Sequence, residues 1–128
     1  MRFGDRKQTI KDVKEILADA SLAESATTAL ADCTVLNLAG VKTLALSVRC
    51  TYADGSSTGI TVNLYTSIDN SVWDTDVLTS FEPSFTTNTT VQKTVFIDPD
   101  AKYLKARVTN KDDTYAVTNI SINATSTK

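Results

Sequence analysis

The stretch from Lys42 to Trp73 constrains this chain most. Leu44, Leu46, Val48, Cys50 and Tyr52 alternate with Ala45, Ser47, Arg49 and Thr51, the two-residue period of a half-buried β-strand. Ile60, Val62 and Leu64 repeat the pattern against Thr61, Asn63 and Tyr65. Between them, Ala53 to Gly59 is a loop by composition, since Asp54-Gly55 tolerates the positive φ of tight turns. A β-hairpin is the natural reading.

The excess of Thr, with Val and Ile beside it, extends that reading to the whole chain, because β-branched side chains pack well on a pleated sheet. Thr90 to Ile97 reads as a strand with Val91, Val95 and Ile97 on one face. Leu104, Ala106 and Val108 alternate with Tyr103, Lys105 and Arg107. The last strand spans Tyr115 to Ala124, where Val117 is out of phase with Ile120 and Ile122, so a bulge is expected near Thr118-Asn119. Leu78 and Phe81 read as a short strand, with Pro83 ending it or marking an edge. Strands are also read at Ala26 to Ala31 and Thr34 to Leu38. Turns fall at Asp69-Asn70-Ser71, Asp98-Pro99-Asp100 and Asn110 to Asp113. Trp73, the largest apolar group, is expected to close one end of the core.

Near the start, Thr9 followed by Asp12 resembles an N-cap with its acidic partner, and Ile10, Val13, Leu17 and Ala20 recur at helical spacing. A short amphipathic helix from Ile10 to about Ala20 is predicted, after an arm, Met1 to Gln8, whose one large apolar group is Phe3. The expected architecture is all-β: an antiparallel two-layer β-sandwich, jelly-roll-like, of about eight strands. Residues 1–20 form the arm and helix, 21–124 the sandwich and 125–128 a frayed tail. The 128 residues suffice for a core without staples, burying roughly two thirds of the unfolded surface.

Charge and composition exclude several functions. A net charge of −2 is wrong for a generic nucleic-acid binder, which needs a basic surface to displace counterions. The charge is unevenly placed: residues 54–100 hold seven acids and one base, whereas the first sixteen hold five bases and three acids. An acidic middle with basic ends can pair copies head to tail, and solvated loops explain the same pattern. The polar stretch Met1 to Lys14 has no secretory pattern and no run reaches membrane-spanning length, so the chain is expected to be made in a cytoplasm and to engage no membrane. Cys50 falls on an inward face and is expected as a buried free thiol; a Cys33–Cys50 bridge needs neighbouring strands and an oxidising compartment.

No histidine is present, which removes Ser-His-Asp and Cys-His catalysis and the commonest zinc ligand. The acids sit in predicted turns as ordinary solvated carboxylates, so no catalytic residue and no cofactor are expected. Asp69, Asn70, Asp74 and Asp76 place four oxygen-bearing side chains within eight residues, a candidate calcium loop without the EF-hand spacing. Tyr65, Tyr103 and Tyr115 are candidates for a sugar-binding platform on outward faces.

Two resemblances add to this. Leu64-Tyr65-Thr66-Ser67-Ile68-Asp69-Asn70-Ser71-Val72-Trp73, then Ala101-Lys102-Tyr103-Leu104-Lys105-Ala106 and Ile120-Ser121-Ile122, resemble the closing half of discoidin (coagulation factor 5/8 type) jelly rolls. Asn70 stands where those domains have Gly, and Lys102 where they have Arg. The same Ser-x-Asp-x-x-x-Trp turn and strand rhythm resembles small β-sandwich virion structural proteins of tailed bacteriophages, of the capsid decoration, neck or tail accessory kind. That resemblance implies a non-enzymatic assembly protein of the virion, a homo-oligomer whose partners are its own copies and other virion proteins. The contact residues expected in the arm and helix are Phe3, Ile10, Val13 and Leu17. The alternative is a carbohydrate- or calcium-dependent binding module of discoidin-like type.

Overall fold

The computed structural model describes residues 11–128, which form eight strands: β1 (Lys11–Leu22), β2 (Leu36–Asn37), β3 (Thr43–Tyr52), β4 (Ile60–Ser67), β5 (Thr79–Phe81), β6 (Thr90–Ile97), β7 (Tyr103–Asn110) and β8 (Val117–Thr127). They make two antiparallel four-stranded sheets, one ordered β1-β8-β3-β6 and the other β2-β7-β4-β5. The pairing is nested: first with last, second with seventh, third with sixth, fourth with fifth. One long antiparallel hairpin, folded over so that successive strands change sheet, gives this order. Only β4 to β5 stays within one sheet.

The all-β, two-layer expectation holds, and the inward alternation is the one read from the sequence. Leu44, Leu46, Val48 and Cys50 of β3 meet Ile60, Val62 and Leu64 of β4, Leu104, Ala106 and Val108 of β7, and Ile120, Ile122 and Ala124 of β8 in one apolar core. Cys33 and Cys50 are both buried and both free thiols. Burial pushes the pKa of each upward.

Four expectations are corrected. The predicted helix is a strand: the whole of Lys11–Leu22 is extended and pairs with β8 from Lys11↔Thr127 to Leu22↔Val117. Ile16 is the extra residue of a bulge between Glu15 and Leu17, so Ile16 and Leu17 are buried side by side and the two-residue period is broken. Long-range pairing thereby overrides the helix preference of Lys, Glu, Ala and Leu. Ile10 and the arm before it lie outside the described residues. Next, β3 and β4 do not form a hairpin but lie in opposite sheets, with Ala53 to Gly59 crossing between layers. The alternation is the same either way, because a strand buries one face whether its sequence neighbour lies beside it or across the core. Third, Ala26 to Ala31 is not a strand: it holds one bridge, Thr27↔Thr109, and a 3-10 turn at Leu30–Asp32, while only Leu36–Asn37 of the next predicted strand pairs. Finally, the tail is ordered into β8 as far as Thr127, which lies between Lys11 and Thr43.

The bulge near Thr118-Asn119 is present. Arg49 and Thr51 pair with Ser121 and Thr118, leaving β8 one residue longer there, with Asn119 at φ 52°.

The crossings at one end are tied by the β7–β8 turn. Asn110 is fully buried and its Nδ2 donates to the carbonyls of Leu22, Ala23 and Tyr115 at 3.0–3.2 Å. The Asp112 carboxylate accepts from the backbone N–H groups of Ser57 (2.7 Å), Thr114 (2.9 Å), Tyr115 (3.1 Å) and Thr58 (3.4 Å). Those donors hold its pKa down to about 2, from an ordinary 3.8. Nearby, Tyr52 Oη accepts the Ile60 N–H (3.2 Å) and its buried ring tilts against Phe85 at 4.9 Å.

Two outcomes follow from this end of the sandwich. Because the folded pKa of Asp112 is depressed, its contribution to stability is complete above the unfolded value near 3.8 and is lost as pH falls towards about 2. Urea unfolding across pH 5 to 2 should show that loss, and Asp112→Asn should flatten the slope; an unchanged slope would refute the role. A methyl at Gly59 would sit 2.5 Å from Tyr52 Oη and 2.9 Å from Cζ. The ring is buried and cannot swing away, so Gly59→Ala should destabilise by about 1–3 kcal/mol in the same unfolding measurement.

Candidate interaction surfaces

The β1-β8-β3-β6 sheet presents a broad outer face on which Thr and Ser hydroxyls predominate. Registers place Val13, Thr125, Ala45 and Phe96 in one row across all four strands, and Glu15, Asn123, Ser47 and Thr94 in the next. Hydroxyls link β3 to β6 across this face, Ser47 with Thr94 at 2.6 Å and Thr51 with Thr90 at 2.7 Å, and Arg49 Nε donates to Gln92 Oε1 at 2.8 Å. The first row ends in two exposed apolar groups, Val13 at 68% and Phe96 at 87% accessibility. Both outer strands of this sheet, β1 and β6, pair on one side only.

Of the contact residues expected from sequence, Val13 is therefore on the surface, whereas Leu17 is buried in the core and is corrected to a packing residue. Phe3 and Ile10 lie outside the described residues. Phe96 was missed as a surface group, although its place between inward Val95 and Ile97 was signal enough.

A groove of about 370 Å³ lies where the open edges of the two sheets meet, lined by Leu78 and Thr79 at the start of β5 and by Phe96, Ile97, Asp98, Asp100 and Ala101 at the end of β6. Leu78 is half exposed and no base lines the groove. Asp98 Oδ1 accepts the Asp100 N–H (3.2 Å), which shapes the predicted turn.

The outer face of the other sheet carries aromatics and cations together. Tyr65 and Lys105 are paired across β4 and β7, as are Ser67 and Tyr103. Trp73 does not close the core. It is half-buried on this outer face, with Lys105 Nζ 4.8 Å from its ring centre, and Arg107 lies 6.0 Å from the Tyr65 ring. The segment before β2 anchors both cations, since Lys105 Nζ donates to Leu30 O (2.9 Å) and Arg107 Nε to Thr28 O (2.7 Å). Tyr115, the third tyrosine of the expected platform, packs near Gly55 at the end of the sandwich instead.

The candidate calcium loop is spent on its own turn. Asp69 Oδ1 accepts from the N–H groups of Ser71 (2.9 Å) and Val72 (3.0 Å), which lowers its pKa, and Asp74 accepts the Thr66 hydroxyl at 2.7 Å. Asn70 has φ 61°, the left-handed conformation for which the resembled turn uses Gly. Asp76 is exposed. Among the described residues no three Cys, Asp or Glu side chains converge as metal ligands. A second hollow, about 380 Å³, joins Glu15, Asp19 and Asp32 to Cys33. The Cys33 thiol donates to Ala29 O at 3.3 Å, and burial pushes its pKa up.

No protein-family model matches the chain, and no curated protein matches it.

Placing Trp73 outside the core gives a direct test. Trp73→Ala should cost about 1–2 kcal/mol in urea unfolding, less than the roughly 3–5 kcal/mol of removing a core tryptophan. A loss in the higher range would put the ring back in the core.

Proposed function

We propose that the chain is a non-enzymatic assembly subunit of a tailed-phage virion, of the capsid decoration, neck or tail accessory kind, acting through contacts with its own copies and with other virion proteins. The observation that carries this is the outer face of the β1-β8-β3-β6 sheet. It carries rows of Thr and Ser hydroxyls with Arg49, Gln92, Glu15 and Asn123 among them, and ends at two outer strands with exposed Val13 and Phe96. Long unpaired edges template association unless something covers them. The nested strand order supports the same reading, since it is the wiring of a jelly roll, an architecture of viral capsid domains. Jelly rolls also serve as lectins, so the wiring favours rather than selects.

A carbohydrate-binding module is the second reading, favoured by Tyr65, Trp73 and Tyr103 sharing one face with Lys105 and Arg107. The two separate in solution. Light scattering over a concentration series should give a defined oligomer of unchanged mass with calcium or chelator. A strict monomer that binds glycans, and loses them on Trp73→Ala, would replace the assembly role by the binding module.

A further inference from the structure

Building on the assembly role proposed above, we infer that residues 1–10 of one copy dock in the groove between β5 and β6 of the next copy. The two outer strands of the four-stranded sheet are β1, bonded on its outer side to the Thr34 N–H at Ile16 O, and β6, and every neighbour in that sheet is antiparallel, so β1 and β6 run in opposite directions. A copy set beside another in the same orientation, β1 against β6, therefore continues the antiparallel order. Lys11 is level with Thr127 and Thr43, and Leu44 is level with Ile97, so β1 begins at the end of the sheet where Asp98-Pro99-Asp100 turns. That neighbour's residues 1–10 thus start next to the groove. Ten residues reach at most about 35 Å, ample to lie along it.

The chemistry matches at each point. The groove offers exposed Phe96 and Leu78 beside Asp98 and Asp100, with no base in its lining. The segment carries Phe3 among Arg2, Arg6 and Lys7, against one acid, Asp5. Phe3 covers Phe96 and Leu78 while the bases face the two carboxylates. Such a contact joins two different patches and so runs head to tail, closing into a ring or continuing as a filament.

The test mixes two full-length variants and follows mass by sedimentation at low and high salt. Asp98→Asn/Asp100→Lys keeps the acceptor that shapes the turn and reverses the groove. Arg2→Glu/Arg6→Glu reverses the segment. Each alone should weaken self-association about tenfold, as should Phe96→Ser, and an equimolar mixture of the two charge variants should restore it, because each groove then meets a complementary segment. Urea midpoints check that all are folded. Unweakened single variants, or a mixture no better than its components, would overturn the docking while leaving the assembly role standing if the wild type still associates. A wild type monomeric at every concentration would overturn the docking, and glycan binding by that monomer would remove the assembly role as well.

Discussion

A small buried polar cluster holds the ends of this sandwich where its crossings need them. When nearly every connection changes sheet, the loops cannot be closed by simple hairpin turns, and their backbone groups need other partners. Asn110 and Asp112 supply them from a single turn. Asn110 reaches the end of β1 and the start of β8, and Asp112 reaches the β3–β4 crossing. Three separate crossings are thereby fixed by two side chains, and among the described residues no buried side-chain nitrogen or oxygen lacks a partner. Full satisfaction is what makes such a cluster an organiser, since one orphaned member in a low-dielectric site would cost more than an apolar replacement.

Which parts of this were legible in the sequence follows from the range of the forces involved. The inward sets of β3, β4, β6 and β7 were readable because burial imprints a two-residue period wherever a strand has one wet face. Even the bulge in β8 was readable, as a break in that period between Val117 and Ile120. The sheet to which each strand belongs was not, because Leu44 to Tyr52 looks the same with β4 beside it or facing it. β1 was misread as a helix through its own bulge: Ile16-Leu17 removes the alternation, and Val13, Leu17 and Ala20 then mimic helical spacing. Trp73 shows another limit. Size and apolarity suggested the core, but stacking over Lys105 gives an amphipathic ring a stable place on an outer face. Asp112 looked like one more turn acid, and only the distant Ser57 and Thr58 amides reveal its work.

The two sheets treat their edges differently. In the β2-β7-β4-β5 sheet the outermost strands are two and three residues long. Beyond β2, the exposed side of β7 is taken by Ala26 O, which accepts the Asn110 N–H at 2.8 Å, and by the Thr28 hydroxyl, which accepts the Val108 N–H at 3.0 Å. Only the three residues of β5 are left with an open edge in that sheet. The other sheet ends in strands of twelve and eight residues. β6 carries one charge, Lys93, level with the inward Val48 and donating from Nζ to the Glu82 carbonyl at 3.1 Å. Short strands and covering segments protect the β2-β7-β4-β5 sheet, whereas the β1-β8-β3-β6 sheet keeps long outer strands that carry a bulge, Lys11 and Lys14 on β1 and Lys93 on β6, with the Thr34 N–H bonded to Ile16 O at 3.3 Å. What distinguishes the β1-β8-β3-β6 sheet is the length of its outer strands and the exposed Phe96 at the rim of β6, since a long edge offers more backbone to a neighbour than a strand of two or three residues.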